Sequence, residues 1–108
     1  MKISRFDKET ANEAHDGTIL ASALLPEGVR APFDSAWGYL ENGASMETHS
    51  HKAQEIYIVV RGAGFIIVED EEEAVSAGDV IEVPGSKMHS MRASDDSEIL
   101  WAAIWWED

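Results

Sequence analysis

Two histidines and a glutamate lie close together in the stretch THSHKAQEIYIVVRG, which runs from Thr48 to Gly62. His49, His51 and Glu55 all occupy odd-numbered positions, so in an extended chain their side chains point to the same face. Burying two imidazoles and a carboxylate without partners would cost several kcal/mol. A divalent metal would satisfy all three, and nitrogen and oxygen ligands suit Mn, Fe, Co, Ni, Cu or Zn. The spacing therefore predicts a transition-metal site.

A solvent-exposed turn would account for the same three residues. In that interpretation His49 and His51 are hydrated, and Glu55 forms an ion pair with Lys52 or Arg61. Short motifs of the form H-x-H-x3-E recur by chance. Taken alone, the motif leaves the metal site and the exposed turn about equally supported.

The elements that must hold these residues are short β-strands. Segments rich in Val, Ile, Trp and Tyr alternate with Gly, Pro, Asn and Asp, a pattern typical of strands and turns. One turn is predicted at Arg61 and Gly62, and a helix fits only near residues 8–14. The predicted strands cover residues 2–6, 18–24, 36–40, 55–60, 65–69, 80–83, 89–93 and 99–106. Eight short strands in one chain indicate an all-β sandwich or barrel.

The strand that follows Glu55 is apolar on both faces. Tyr57 and Val59 continue the face of the glutamate, and the opposite face carries Ile56, Ile58 and Val60. The last predicted strand repeats this pattern, with an outer face of Ala102, Ile104 and Trp106. An antiparallel sheet with one wet side would alternate polar and apolar residues. We therefore expect one face to line the interior and the other to be covered by a second sheet or by another copy of the protein, in a homodimer.

Composition and charge narrow the classes of partner. The 108 residues, 44% of them hydrophobic, suit a single globular domain. With 21 acidic against 8 basic residues the formal net charge is −13, which would repel nucleic acid and anionic membrane surfaces. The acidic run Glu69 to Glu73 is expected to be an exposed hairpin tip. The absence of cysteine removes thiolate metal sites and a cysteine nucleophile.

Secretory signals and membrane-spanning segments bear on where the protein is located. The first residues, MKISRFDKETANEAHDG, contain no apolar segment of the kind that forms a secretory signal. No stretch of the chain approaches the run of about 20 apolar residues that spans a bilayer. These features predict a cytoplasmic protein that does not insert into membranes.

Glycines around the histidine motif extend it to G-x5-H-x-H-x3-E-x6-G, from Gly43 to Gly62. A second segment, GDVIEVPGSKMH, runs from Gly78 to His89. In these two motifs the sequence resembles the cupin superfamily. The resemblance implies one cupin domain over residues 1–108, with the first motif at 43–62 and the second at 78–93. It also implies the cupin fold, a small jelly-roll (double-stranded β-helix) barrel of antiparallel strands.

The resemblance implies four metal ligands, which are His49, His51, Glu55 and His89. The second motif departs from the family pattern, because Pro-Gly-Ser at 84–86 replaces Pro-x-Gly and Ala93 stands where an asparagine is frequent. These departures affect the turn before His89 and leave its spacing unchanged. Four ligands would leave an octahedral metal two open positions, whereas tetrahedral zinc would be closed.

Two functions follow from such a site. The first is a metal-dependent enzyme that acts on a small molecule, of the dioxygenase, isomerase or epimerase, or lyase type, because the resemblance does not select a reaction. Tyr57, two residues after Glu55 on the same face, is the candidate proton donor in the pocket. The alternative is a noncatalytic module that binds a metal or a small ligand as a sensor or store. His15, in a polar segment, is assigned no role.

Overall fold

The structure is a computed structural model that describes residues 1–107 and contains eight β-strands, with no helix in that range. The strands are β1 (Asn12–Ala14), β2 (Ile19–Ser22), β3 (Asp34–Leu40), β4 (Gln54–Val68), β5 (Glu71–Ser76), β6 (Val80–Val83), β7 (His89–Ala93) and β8 (Ile99–Trp106). The all-β prediction is confirmed, and all the strand pairs are antiparallel. Within the described residues, no helix has the length and apolar character needed to cross a bilayer.

The 15-residue strand β4 belongs to two sheets. Its first part pairs with β8 and β6, which extends a sheet in the order β1-β2-β3-β8-β4-β6. Its second part pairs with β5 and β7. Both sheets contribute side chains to one hydrophobic core, as the jelly-roll barrel predicts.

The change from one sheet to the other occurs at Gly62. The pairing of β4 with β8 slips between Val59 and Arg61, which is a β-bulge. Gly62 has a φ of 85°, and a Cβ there would overlap the carbonyl oxygen of Glu98. The turn predicted at Arg61 and Gly62 is therefore wrong, because glycine bends one continuous strand where two strands were expected.

The N-terminal predictions are also wrong. Residues 2–6 form no strand, and residues 8–14 form a turn followed by β1. Asp7 closes this turn, since its side chain accepts a hydrogen bond from Glu9 N at 2.9 Å and its carbonyl accepts one from Ala11 N at 3.1 Å. The chain then pairs with β2, beginning at Asn12 and Ala21. A local side-chain bond and strand pairing thus replace the helix.

The N-terminal segment covers part of the outer face of the larger sheet. The Phe6 ring stacks on Tyr39 with 5.1 Å between centroids, and Trp37 Nε1 donates to Ser4 Oγ at 3.4 Å. Tyr39, which faces outward, is consequently only 1% exposed. Part of the cover expected from a second sheet or a second copy is therefore supplied by the chain itself.

The two faces of β4 differ in burial as the alternation predicts. Tyr57 and Val59, on the inner face, are 2% and 1% exposed, whereas Ile56 and Ile58 are half-buried and Val60 is 43% exposed. In the acidic run, the turn consists of Glu69 and Asp70, and the next three glutamates already belong to β5. The expected hairpin tip is thus present but short.

Candidate metal centre

His49 and His89, 40 positions apart in the chain, are paired through their backbones. His49 N donates to His89 O at 3.0 Å, and His89 N donates to His49 O at 2.8 Å, which forms an isolated antiparallel bridge. The neighbouring bond from Met46 N to Met91 O, at 2.8 Å, continues this pairing along β7. The imidazole centroids lie 4.3 Å apart as a result. The bridge brings the two sequence motifs together.

His51 is held by the turn that departs from the family pattern. Ser86 N donates to His51 O at 2.7 Å, and Ser86 adopts a left-handed φ of 65°. Gly85 lies directly against the backbone of Lys52, where a Cβ would overlap the carbonyl oxygen. The glycine at position 85 thus allows the turn after Pro84 to pack against the loop of His51, so the departure preserves the approach of the two motifs.

All three histidines make the same hydrogen bond through Nδ1. The accepting carbonyl oxygens belong to Glu47 for His49 (2.9 Å), Ala53 for His51 (2.9 Å) and Lys87 for His89 (3.0 Å). A carbonyl only accepts, so each Nδ1 carries a hydrogen, and the neutral form of such a ring has its lone pair on Nε2. The ligand atoms of the three rings lie within 4.8 Å of one another. Three imidazoles are therefore oriented as metal ligands usually are.

Glu55 lies beside two of these rings. Its Oε1 atom is 3.1 Å from His51 Nε2 and 3.6 Å from His89 Nε2, and the residue is 6% exposed. Burial raises the pKa of the Glu55 carboxyl, and this effect is opposed by His51 and by a hydrogen bond from Tyr57. The structure thus brings together all four residues assigned from the motifs. Their role as metal ligands stays a prediction.

His89 Nε2 tests whether a metal fits this site. The residue is 1% exposed, and Nε2 has no hydrogen-bond partner among the described residues. Burial lowers the pKa of His89 to about 4, so the ring is neutral and its lone pair is buried without a donor. A buried polar atom without a partner lowers the stability of the folded protein by about 1–3 kcal/mol unless something binds it. Three neutral nitrogens and one carboxylate fit a divalent transition metal, and the same set accepts Mn, Fe, Co, Ni, Cu or Zn.

Tyr57, the predicted proton donor, points its hydroxyl at Glu55. The residue is 2% exposed, and its ring packs against Trp101 with 5.5 Å between centroids. Burial, followed by the charge of Glu55, raises the pKa of Tyr57 well above its usual value. The hydroxyl therefore stays protonated and donates a hydrogen bond to the Glu55 carboxylate. Whether it also donates to a substrate stays a prediction.

His15, to which the sequence motifs assign no role, stacks on His49. The ring centroids are 4.1 Å apart and the planes differ by 28°. Burial, followed by the nearby His49, lowers the pKa of His15. The fourth histidine of the chain thus lies beside the other three.

A strained turn between β1 and β2 places His15 there. The φ angles of His15, Asp16 and Gly17 are 51°, 59° and 76°, all in the left-handed region. Thr18 Oγ1 donates to His15 O at 2.7 Å and accepts from Glu47 N at 2.8 Å, which ties the turn to the loop before His49. An Asp-Gly pair signals such a turn in a sequence, but local residues carry no information on what the turn will contact.

A cavity of about 460 Å³ opens beside the histidines. Its lining includes His15, His49, His51, Glu55, Tyr57 and Trp105. Pockets for small molecules usually have volumes of about 300–1,000 Å³ and combine apolar walls with a few polar groups. The cavity therefore has room for a small molecule that reaches the candidate ligands.

Comparisons with known proteins agree with this fold. The "cupin 2 conserved barrel domain protein" from Salinispora arenicola superposes with a TM-score of 0.85 at 27% identity, over 99% of this chain and 89% of that chain. The plu4264 protein from Photorhabdus luminescens gives a TM-score of 0.84 at 30% identity, over 98% and 88% of the two chains. In sequence, the chain is 29% identical over 97 residues to protein MJ1618 from Methanocaldococcus jannaschii. The alignment covers 84% of this chain and 76% of the relative.

A family model also matches the sequence directly. The model describes the cupin domain and matches residues 37–106, a range that includes both histidine motifs and most of the strands. The match spans more than half of the chain, and the structure supplies the expected barrel. The chain belongs to the cupin-domain family.

Proposed function

We propose that this protein is a metal-binding cupin that acts as an enzyme on a small molecule. The observation that carries the proposal is the shared orientation of three imidazoles, whose Nδ1 atoms bond to carbonyls while the Nε2 lone pairs converge. The lone pair of His89 is buried without a partner among the described residues, which is costly in a site that binds nothing.

His49, His51, His89 and Glu55 would hold a divalent transition metal. When bound, such an ion supplies Lewis-acid character to a substrate oxygen and, if redox-active, reactivity toward dioxygen. The backbone carbonyls fix the tautomer and the direction of each ring. Tyr57 donates to Glu55 and thereby orients the carboxylate, and the adjoining cavity would receive the substrate.

Metal analysis of protein purified without added metal tests this proposal. We expect about one transition-metal ion per chain, and we expect H89A and E55Q to lose most of it because each removes one donor. E82Q is a matched control, since Glu82 lies next to Ile56 on the neighbouring strand β6, away from the histidines, and should keep the metal.

The identity of the ion separates the enzyme from a binding module. A redox-active ion with exchangeable water, detected by electron paramagnetic resonance, would support the enzyme. Stoichiometric tetrahedral zinc would support the noncatalytic module instead. Protein without metal that also fails to take up added Mn, Fe, Co, Ni, Cu or Zn would contradict both.

A further inference from the structure

One wall of the cavity beside the histidines, which we call the floor, consists of residues with small side chains. On the inner face of the larger sheet, Ala103 pairs with Ala36, and Gly38 pairs with Ala21, all in register. Directly paired residues of antiparallel strands share a face, so these four positions form one continuous surface that lines the cavity. Methyl groups line this surface at Ala21, Ala36 and Ala103, and the Trp101 indole covers it at Gly38.

Gly38 also sets the position of the largest buried side chain. Trp101 pairs with Gly38, and a Cβ on Gly38 would overlap the indole ring. The indole therefore lies directly on the glycine backbone, and it is 1% exposed. The small residues beside it leave the 460 Å³ cavity, whereas a cavity of about 150 Å³ is enough to bind benzene. The space exceeds what a single ring requires.

An aromatic side chain lies beside the polar groups of the cavity. Trp105, half-buried, pairs with Glu55 and offers an aromatic surface next to the histidines. Among the described residues, three other charged side chains line the cavity besides the histidines and Glu55. They are Asp34, Lys52 and Glu107, and all three are exposed. The floor thus offers apolar contact, while donor atoms meet a ligand at the histidines.

We propose that this cavity binds one flat aromatic ring whose oxygen substituents reach the histidine cluster, an inference that rests on the proposed metal centre. A planar ring gains contact over its whole face on a floor of methyl groups and beside an indole. A sugar, with hydroxyls around a puckered ring, would bury several of them against alanines without partners. Among the possible substrates of a metal-dependent cupin, the floor therefore favours aromatic compounds.

Hydroxamates provide matched probes for this proposal. Acetohydroxamate and benzohydroxamate share a chelating group with two oxygens, and they differ in carrying a methyl or a phenyl group. Cyclohexanecarbohydroxamate carries a puckered ring of the same size. Titration calorimetry on the metal-loaded protein should give benzohydroxamate about tenfold tighter binding than acetohydroxamate, with the cyclohexyl compound weaker than the phenyl compound.

Two variants test whether the aromatic ring of benzohydroxamate binds on the floor of the cavity. A103V and A36V each place extra methyl groups on the floor, so both should reduce the tenfold advantage of benzohydroxamate to about twofold or less. Metal content and acetohydroxamate affinity should stay unchanged in A36V, because Ala36 lies two strands away from Tyr57, whereas Ala103 pairs with Tyr57 directly. A74V is the matched control, because Ala74 is exposed on β5, and it should leave all three affinities as they are.

Each alternative result has a defined meaning. Equal affinities of benzohydroxamate and acetohydroxamate would overturn the aromatic ring while leaving the metal centre intact. Equal affinities of the phenyl and cyclohexyl compounds would overturn the requirement for a flat ring, and an unchanged advantage in both floor variants would overturn its location. If metal-loaded protein binds none of the three, the proposal fails as well, whereas a chain without metal would show that the proposed function failed first.

Discussion

His51 Nε2 lies 3.1 Å from Glu55 Oε1. His51 already uses Nδ1–H to bond to the carbonyl of Ala53, and an ionised carboxylate only accepts. Two lone pairs that face each other at this distance require a cation between or beside them, which is either a proton or a metal ion. His89 Nε2, 3.6 Å from the same oxygen, has the same requirement. This relationship is the physical basis of the proposed metal centre.

Removing the Tyr57 hydroxyl should weaken metal binding. Y57F takes away the group that donates to Glu55, so the carboxylate loses the bond that orients it. We expect metal affinity to fall about tenfold, as measured by competition with a chromogenic chelator. Y39F is the control, because the Tyr39 hydroxyl bonds to Glu98 at 2.6 Å, away from the site. Unchanged affinity in Y57F would contradict the orienting role, and lower turnover at saturating metal would be the separate sign of a proton donor.

The stacking of His15 on His49 gives a second prediction. H15A removes the ring that lies 4.1 Å from His49, so this half-exposed ligand loses its support and metal affinity should fall about threefold to tenfold. H15F keeps an aromatic ring in the same left-handed turn and should restore most of the affinity. Similar losses in both variants would show that the His15 nitrogens matter more than the stacking. Wild-type affinity in H15A would remove His15 from the site.

The buried His89 predicts how stability depends on pH in the metal-free protein. Its pKa is about 4 in the folded protein and about 6.5 in an unfolded chain. Between these values the unfolded chain binds a proton that the folded protein does not, so the free energy of unfolding decreases as pH falls from about 6.5 to about 4. The raised pKa of Glu55 acts in the opposite direction.

A comparison of variants isolates the His89 contribution. Position 89 does not titrate in H89Q, so between pH 7 and pH 4.5 the wild type should lose about 2 kcal/mol more unfolding free energy than H89Q. Denaturation with urea at the two pH values, after metal removal, measures both losses. Equal losses would mean that His89 is not held neutral in the folded protein.

The homodimer stays a prediction, and the uncovered part of the outer sheet face gives it a test. Ile58 pairs with Ala102 and Val80, and Ile56 pairs with Ile104 and Glu82, which forms a mostly apolar surface where Val80 is 63% exposed. We expect sedimentation velocity at micromolar concentration to detect a dimer, and I58E to dissociate it. V29E is the control, since Val29 is an exposed apolar residue outside this surface. A wild-type monomer would contradict the prediction.

Much of the fold and the site follows from local sequence patterns. The parity of His49, His51 and Glu55 predicted that their side chains lie together, and they do, although the chain bends at residues 52–53 before β4 begins. Strands β6, β7 and β8 coincide with their predicted ranges. The cupin motifs then linked His89 to the other three residues, which spacing alone could not have done.

Other features depend on contacts between distant residues. Gly62 was interpreted as a turn because glycine commonly marks one, yet here the Glu98 carbonyl occupies the space of a side chain and the strand continues. The N-terminal segment was interpreted as a strand and a helix, but Phe6 packs across the sheet on Tyr39. The stacking of His15 on His49 likewise arises from the path of a turn in space, which local residue preferences do not determine.

We infer that the buried Nε2 atom of His89 belongs to a metal site. Its most direct test is the metal content of wild-type protein and of H89A, after both are loaded with the same ion and dialysed at pH 7.5. We expect about one ion per wild-type chain and a small fraction of that in a folded H89A. Equal retention by both proteins, or retention by neither, would contradict it.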